Sequence, residues 1–437
     1  MLGLAWPVAV DSILDAAVSA ADLLMVARLG VSAVAGVGLA AQVIFVVSAA
    51  ATAIATGTTV CVSQAAGSGN RAAAGHVVKQ SLLLAALLSA ALTLVGVPGA
   101  RPLVARLGGQ PDVVDMATTY LEVTLLGSAT LIGASVLRAA LRGAGDSRTP
   151  MLVGLAVNAA NLLLAYVLIF GHVGLPALGV AGSALAASLA RCLGLVALLA
   201  LVVRPRGRVP LQVVGSGWRP DGILLWRMLR IGVPAMGEQL LRNLGFLLYA
   251  TMIISLGTTA FAAQRITYNL FSLSLPPCFA FATAATALTG QALGARKLDY
   301  APAATWTAVR TVCAWMGIVA VMFVCAAPIL VRAYSADPGI VAEGALALRV
   351  LAVGLVPLGV AQVLAGGLRG SGNTRVPMFV TAASMWLVRL PATWLLATGV
   401  GWGLTGSYAA FSLAFCLEAM ILWGRFRRIE WKRLVDA

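Results

Sequence analysis

The feature that most constrains this chain is a succession of apolar stretches, each 20 to 30 residues long, that runs through all 437 residues. An α-helix needs about 20 apolar residues to cross the hydrocarbon core of a bilayer, and twelve such stretches can be placed. They fall near 3–27, 33–62, 75–99, 113–137, 150–171, 177–203, 229–255, 260–289, 302–331, 339–366, 376–398 and 402–424. With 60% hydrophobic and only 10% charged residues, a soluble fold is excluded. The expected class is an all-α membrane protein.

The net charge of +15 raises the question of nucleic acid, which the distribution of basic residues answers. With twelve spans and both termini cytoplasmic, twenty Lys and Arg fall on the inner side, four on the outer side and six within spans. This asymmetry sets orientation in a plasma (cytoplasmic) membrane and does not indicate nucleic acid. The first span starts almost at Met1, with no leader or small-residue cleavage pattern in view. Six scattered cysteines read as small hydrophobes, and two histidines, His76 and His172, offer no metal cluster. No cofactor and no enzymatic chemistry are expected.

The two halves repeat each other at an offset of 227 residues. Leu141-Arg-Gly-Ala-Gly-Asp-Ser-Arg-Thr-Pro-Met151 recurs as Leu368-Arg-Gly-Ser-Gly-Asn-Thr-Arg-Val-Pro-Met378, and Gln64-Ala-Ala-Gly67 as Gln291-Ala-Leu-Gly294. Pro7 falls on Pro234 and Gly30 on Gly257; the register then shifts to 224, matching Gly179-Val-Ala-Gly-Ser183 to Gly403-Leu-Thr-Gly-Ser407. Six spans per copy, an even number, give both copies the same direction and imply a pseudo-two-fold axis along the membrane normal. Parallel repeats of this kind suit alternating-access transport, with the substrate site near the midplane. The expected organisation is an N-terminal lobe over 1–203, a cytoplasmic linker over 204–228, a C-terminal lobe over 229–424 and a basic cytoplasmic tail over 425–437. Pro7 and Pro234 are candidate hinges, and Pro276-Pro277, Pro357 and Pro391 are expected to interrupt their spans.

The first span carries Asp11, Asp15 and Asp22. Spacings of four and seven residues place them within about 40° of one another on a stripe about 16 Å long. Each central aspartate costs about 2.5–3.5 kcal/mol to insert, so this face should line a wet cavity rather than lipid. Carboxylates in such a place exchange protons or bind Na⁺; holding interhelical contacts together is the plainer alternative. At the repeat positions the second half has Glu238, Arg242 and Tyr249, and Glu238 can pair with Arg242 one turn away. Asn161 joins the aspartates as a candidate ion-coupling residue, while Asn158, Glu238, Tyr249 and Arg389 are candidate cavity residues. Phe271, Phe279, Phe281, Trp386 and Trp394 are candidates to face a flat cationic ligand, or to pack and anchor.

These residues together resemble the multidrug and toxic compound extrusion (MATE) family, in the branch named for the DNA-damage-inducible protein F. The resemblance covers the whole chain and rests on Pro7 with Ala21-Asp-Leu-Leu-Met-Val-Ala-Arg-Leu-Gly30, on Leu141–Pro150 and on Gly232-Val-Pro-Ala-Met-Gly-Glu-Gln-Leu-Leu241. It implies export of organic cations and amphipathic toxic compounds against inward H⁺ or Na⁺, with Asp22 matching the essential first-helix carboxylate. The family's Asn, three residues, Asp pattern on the fifth helix reads here Asn161 to Ala165, and its sixth-helix threonine is replaced by Ala187 beside Ser188. Two of four Na⁺-site groups are thus absent, which favours H⁺ coupling through Asp22, with Asp15 and Asp11 supplying the charge missing at Ala165. A lipid-linked precursor flippase is the rival within the superfamily, but it calls for a basic cavity. A non-transporting scaffold or sensor is the rival of another class. Without a coiled coil or extramembrane domain, the expected state is a monomer in contact with membrane lipid and small-molecule substrate.

Overall fold

The computed structural model describes residues 2–172, 174, 176–203 and 218–431; the greater part of the expected linker and the end of the basic tail lie outside these residues. The described residues are helical almost throughout. In the first half α1 is Leu2–Ala27, α2 Val31–Gly67, α3 Arg71–Leu107, α4 Pro111–Leu126, α5 Ser128–Gly143, α6 Arg148–Phe170 and α7 Gly179–Val203. In the second half α8 is Gly222–Ile254, α9 Thr258–Gly294, α10 Tyr300–Cys325, α11 Ala327–Arg332, α12 Pro338–Gly370, α13 Arg375–Ala383, α14 Leu390–Thr393 and α15 Gly403–Arg427. Two π-helical turns, Ser384–Arg389 and Trp394–Gly399, flank α14 and make 375–399 one span.

Among the described residues nine helices are long and apolar enough to cross a membrane, and the pair α4 and α5, bent by 52°, makes a tenth span. The other two spans are α1 and α8, which carry the charge clusters described below. Twelve spans result. Large apolar side chains such as Leu94, Val95, Leu163 and Leu387 stay exposed at 70% or more, as lipid-facing residues do.

Several helix ends follow the internal repeat to the residue. α2 and α9 both have 37 residues, and their limits differ by 227 at each end. Pro111 and Gly143, which bound α4 and α5, map onto Pro338 and Gly370, which bound α12. Gly30 and Gly257 stand before α2 and α9 with φ of 117° and 106°, a conformation that side chains with a Cβ resist. After α5 and α12 the same closure recurs: Asp146 N donates to Leu141 O, and Asn373 N donates to Leu368 O.

Prolines behave differently from the sequence expectation. Pro276, Pro277 and Pro357 sit inside continuous helices, and only Pro391 lies in an irregular stretch, between the two π turns. Neighbouring helices and local adjustment re-satisfy the backbone groups that a membrane proline frees, so such residues need not end a span.

The chain divides into two compact units, one of residues 1–9 with 234–437 and the other of residues 10–233. The divisions fall inside α1 and α8, within three residues of Pro7 and at Pro234. The second-half unit holds one large core rich in rings, including Tyr249, Phe271, Phe281, Phe323, Phe411 and Phe415. The first-half unit holds four smaller clusters built mainly of Ala, Val and Leu.

Candidate functional site

In the first-half unit, α1 presents its aspartates to α5 and α6. Asp11 is 2% exposed, and its Oδ2 accepts a hydrogen bond of 2.5 Å from Arg142 Nη2. Its Oδ1 packs against Gly154 of α6, where any added Cβ would meet that oxygen. Asp15, half exposed, accepts from Asn158 Nδ2 at 2.9 Å and faces Arg138 Nη1 at 3.8 Å. Helical periodicity places Asn158 and Asn161 on the same side of α6, toward α1. Two arginines one turn apart on α5 therefore sit opposite two aspartates one turn apart on α1.

Asp22 is in a different environment. Its Oδ2 accepts from Asn161 Nδ2 at 2.8 Å. Its Oδ1 and the Asn161 Oδ1 are buried and have no hydrogen-bond partner among the described residues. No salt bridge to Asp22 is formed among those residues, although Arg191 of α7 and Tyr120 of α4 are within electrostatic reach. One carboxylate oxygen is thus committed to an amide, and the other is open to a proton or a cation. Among the described residues no group of three His, Cys, Asp or Glu comes together to hold a metal.

The second-half unit builds its own ion cluster from α8 and α12. Glu238 is 4% exposed; it accepts from Arg242 Nη2 at 2.6 Å and from Arg369 Nη2 at 2.7 and 2.8 Å. Arg369 is the repeat partner of Arg142, and Glu238 that of Asp11, so one acid–base pair occurs in each half. Tyr249, at the position of Asp22, is 1% exposed and shares a hydrogen bond of 3.1 Å with Ser407. The guanidinium of Arg389 stacks within a ring cluster that includes Phe246, Tyr249 and Phe411.

The residues singled out from sequence thus sort into groups. Asp11, Asp15 and Asn158 form one network, Asp22 and Asn161 a second, Glu238 a third, and Tyr249 with Arg389 a fourth; Pro7 and Pro234 lie inside α1 and α8 near the unit divisions. Asn158, grouped from sequence with the cavity residues, donates to Asp15. Sequence reasoning missed Arg138, Arg142 and Arg369, which it counted as inner-side loop charges. A signal was present: an acid at 11 and 238 and a base at 142 and 369 repeat at the same offset.

Comparison with known proteins identifies the family and the fold. The family model described as MatE matches residues 7–167 and again 234–395. A probable multidrug resistance protein NorM of Thermotoga maritima is 31% identical over 414 residues, covering 93% of this chain and 87% of that protein. The uncharacterised transporter YisQ of Bacillus subtilis is 27% identical, with 99% and 94% of the two chains covered. Among solved structures, a MATE in the bent conformation superposes with a TM-score of 0.90 at 23% identity over 99% of this chain and 96% of that chain. An outward-facing multidrug resistance MATE transporter gives 0.89 at 23% identity over 99% and 95%.

Proposed function

The chain belongs to the MatE family, and from that premise we propose that it is a secondary antiporter exporting organic cations and amphipathic toxic compounds in exchange for H⁺, with Asp22 as the coupling carboxylate. The observation that carries the reading is the unequal treatment of the three aspartates. Asp11 and Asp15 each face an arginine, whereas Asp22 has an amide donor on one oxygen and no ion pair among the described residues; its other oxygen, like one oxygen of Asp11, is buried and unpartnered. A carboxylate without a fixed counter-ion gains most from a proton or an organic cation, and the two compete for the same charge. Protonation of Asp22 removes its attraction for the cation and favours release.

Na⁺ coupling receives less support, because Ala165 and Ala187 supply no oxygen where the resemblance calls for ligands. Transport proceeds by alternating access, with Pro7 and Pro234 as points of bending, in a monomer of the cytoplasmic membrane with both termini inside. No nucleic acid takes part.

The test is dye efflux from proteoliposomes with the pH and Na⁺ gradients set independently. Asp22→Asn should lose gradient-driven efflux of a cationic dye by about a hundredfold or more while keeping its melting temperature within a few degrees. Normal efflux by Asp22→Asn would falsify Asp22 as the coupling group, and efflux that follows Na⁺ regardless of pH would replace H⁺ as the ion.

A further inference from the structure

The second-half unit contains a positive charge that its own residues leave uncompensated. Arg389, the last residue of the first π turn, is 4% exposed. Its Cζ lies 3.0 Å from the ring centre of Phe411, 4.4 Å from Phe246, 5.4 Å from Tyr249 and 5.9 Å from Phe415. Ring faces attract the guanidinium face but do not accept the in-plane N–H groups. Nε and Nη2 are buried without a hydrogen-bond partner among the described residues, and these two nitrogens form one edge of the guanidinium. It is the edge that binds the two oxygens of a carboxylate through parallel hydrogen bonds.

A second unpartnered group lies one helical turn further on. Thr393 Oγ1 is fully buried and has no partner, whereas Thr267 and Thr305 in the same unit donate to the carbonyl four residues back. The two buried acids of this unit are already engaged: Glu238 by Arg242 and Arg369, and Glu418 by Thr381. No described acid pairs with Arg389. In the internal repeat the second half has Tyr249, which carries no carboxylate, at the Asp22 position. The guanidinium is present where the carboxylate is not.

We propose that Arg389 and Thr393 form an internal site for the carboxylate group of a monovalent ligand, held by the Nε and Nη2 edge and by the Thr393 hydroxyl inside the ring cluster of Phe246, Tyr249, Phe411 and Phe415. A single charge balances one guanidinium, and a buried charge is costly unless it is paired. The ligand is either a small free carboxylate or the carboxylate of a larger amphiphile. The site lies wholly within one unit and is independent of which ion drives transport.

Equilibrium dialysis of radiolabelled benzoate against the full-length protein in detergent or nanodiscs tests the assignment. Wild type should bind one benzoate saturably. Arg389→Lys keeps the charge but loses the two-nitrogen edge and should bind about tenfold or more weakly, and Thr393→Val about threefold to tenfold more weakly. Acetate should displace benzoate, while chloride and benzylammonium at equal concentration should not. Acetate as effective as benzoate identifies a small free carboxylate, and benzoate tighter by tenfold or more identifies the carboxylate of an aromatic amphiphile. Absence of saturable binding, equal binding by wild type and both variants, or displacement by chloride or benzylammonium as good as by acetate would overturn the proposal. Should Arg389→Lys fail to fold, Thr393→Val, which removes no charge, carries the comparison.

Discussion

The two units share one ion pair and differ in nearly everything else that is charged. Asp11 with Arg142 in the first half is matched by Glu238 with Arg369 in the second, position for position. One turn along the same helices the halves part: Asp15 faces Arg138, whereas Arg242 takes the aspartate's place and joins Glu238, with Ala365 opposite. Two turns further, Asp22 stands where the other half has Tyr249. A pair present in both copies reads as framework for the entrance of the first helix of each repeat. The charge present in only one copy is the one available for an asymmetric task such as ion coupling.

The strongest way to break this comparison is to remove the shared acid from each half. Glu238→Gln leaves two part-buried guanidiniums, Arg242 and Arg369, without their counter-charge; Asp11→Asn leaves one, Arg142. Losing one partner of a buried pair costs about 3–5 kcal/mol, so both variants should melt well below wild type, with Glu238→Gln the lower of the two. Melting of the purified proteins in detergent checks the order. Equal, small losses would mean that neither pair holds the frame.

A smaller effect concerns the space around that pair. Gly154 gives room to the Asp11 carboxylate, and its repeat partner is Thr381, whose hydroxyl donates to Glu418 at 2.9 Å. Gly154→Ala should cost about 1–3 kcal/mol by overpacking, and Thr381→Ala a similar amount by leaving a buried acceptor without its donor. Opposite size changes thus give losses of one sign. A stabilised Gly154→Ala would show that Asp11 can move aside.

Smaller again is the loss expected at a hydrogen bond found in both halves. Thr286 Oγ1 donates to Gly366 O at 2.9 Å, and Thr59 Oγ1 donates to Ala139 O at 3.4 Å. Thr286→Val should cost about 1 kcal/mol and Thr59→Val roughly half that, since a long hydrogen bond returns less. The reverse order would indicate that the first-half contact tightens in solution.

What could be read from sequence follows from periodicity. The succession of spans was legible because apolar runs and the 227-residue repeat report it twice, whereas helix limits were not: α3 runs on to Leu107 and α5 to Gly143, past the apolar stretches that mark them. The stripe of Asp11, Asp15 and Asp22 was legible because it depends on one helix alone. Its partners were less so: Arg142 and Arg369 sit in the last turns of α5 and α12, and a count of charges by side places them in loops. The ring cluster around Arg389 was not legible, because Phe246, Phe411 and Phe415 come from α8 and α15 and meet only through packing. Sequence points to Phe271, Phe279, Phe281, Trp386 and Trp394 as the ring candidates.

The smallest effect lies at the start of α8, outside the membrane, where the frame is held by a cap rather than by an ion pair. Asp221 Oδ1 accepts from the backbone N of Ile223 and of Leu224, both at 3.1 Å, and Oδ2 lies 3.4 Å from His76 Nε2. The backbone hydrogen bond from Leu224 is the main cause that holds the Asp221 carboxyl below its ordinary value of 3.8, with His76 acting in the same direction. A carboxyl with a lowered value in the folded state adds stability above the unfolded value and loses it as pH falls through the folded one. Asp221→Ala should therefore melt slightly below wild type at pH 7, and the gap should close as pH is taken below the ordinary carboxylate range. Gln80 also holds this turn, accepting from Asp221 N at 3.1 Å and donating to Arg219 O at 2.8 Å, and both bonds are independent of the Asp221 charge. A gap that persists at low pH would assign the role of Asp221 to shape rather than charge, and would place the start of α8 under the control of Gln80.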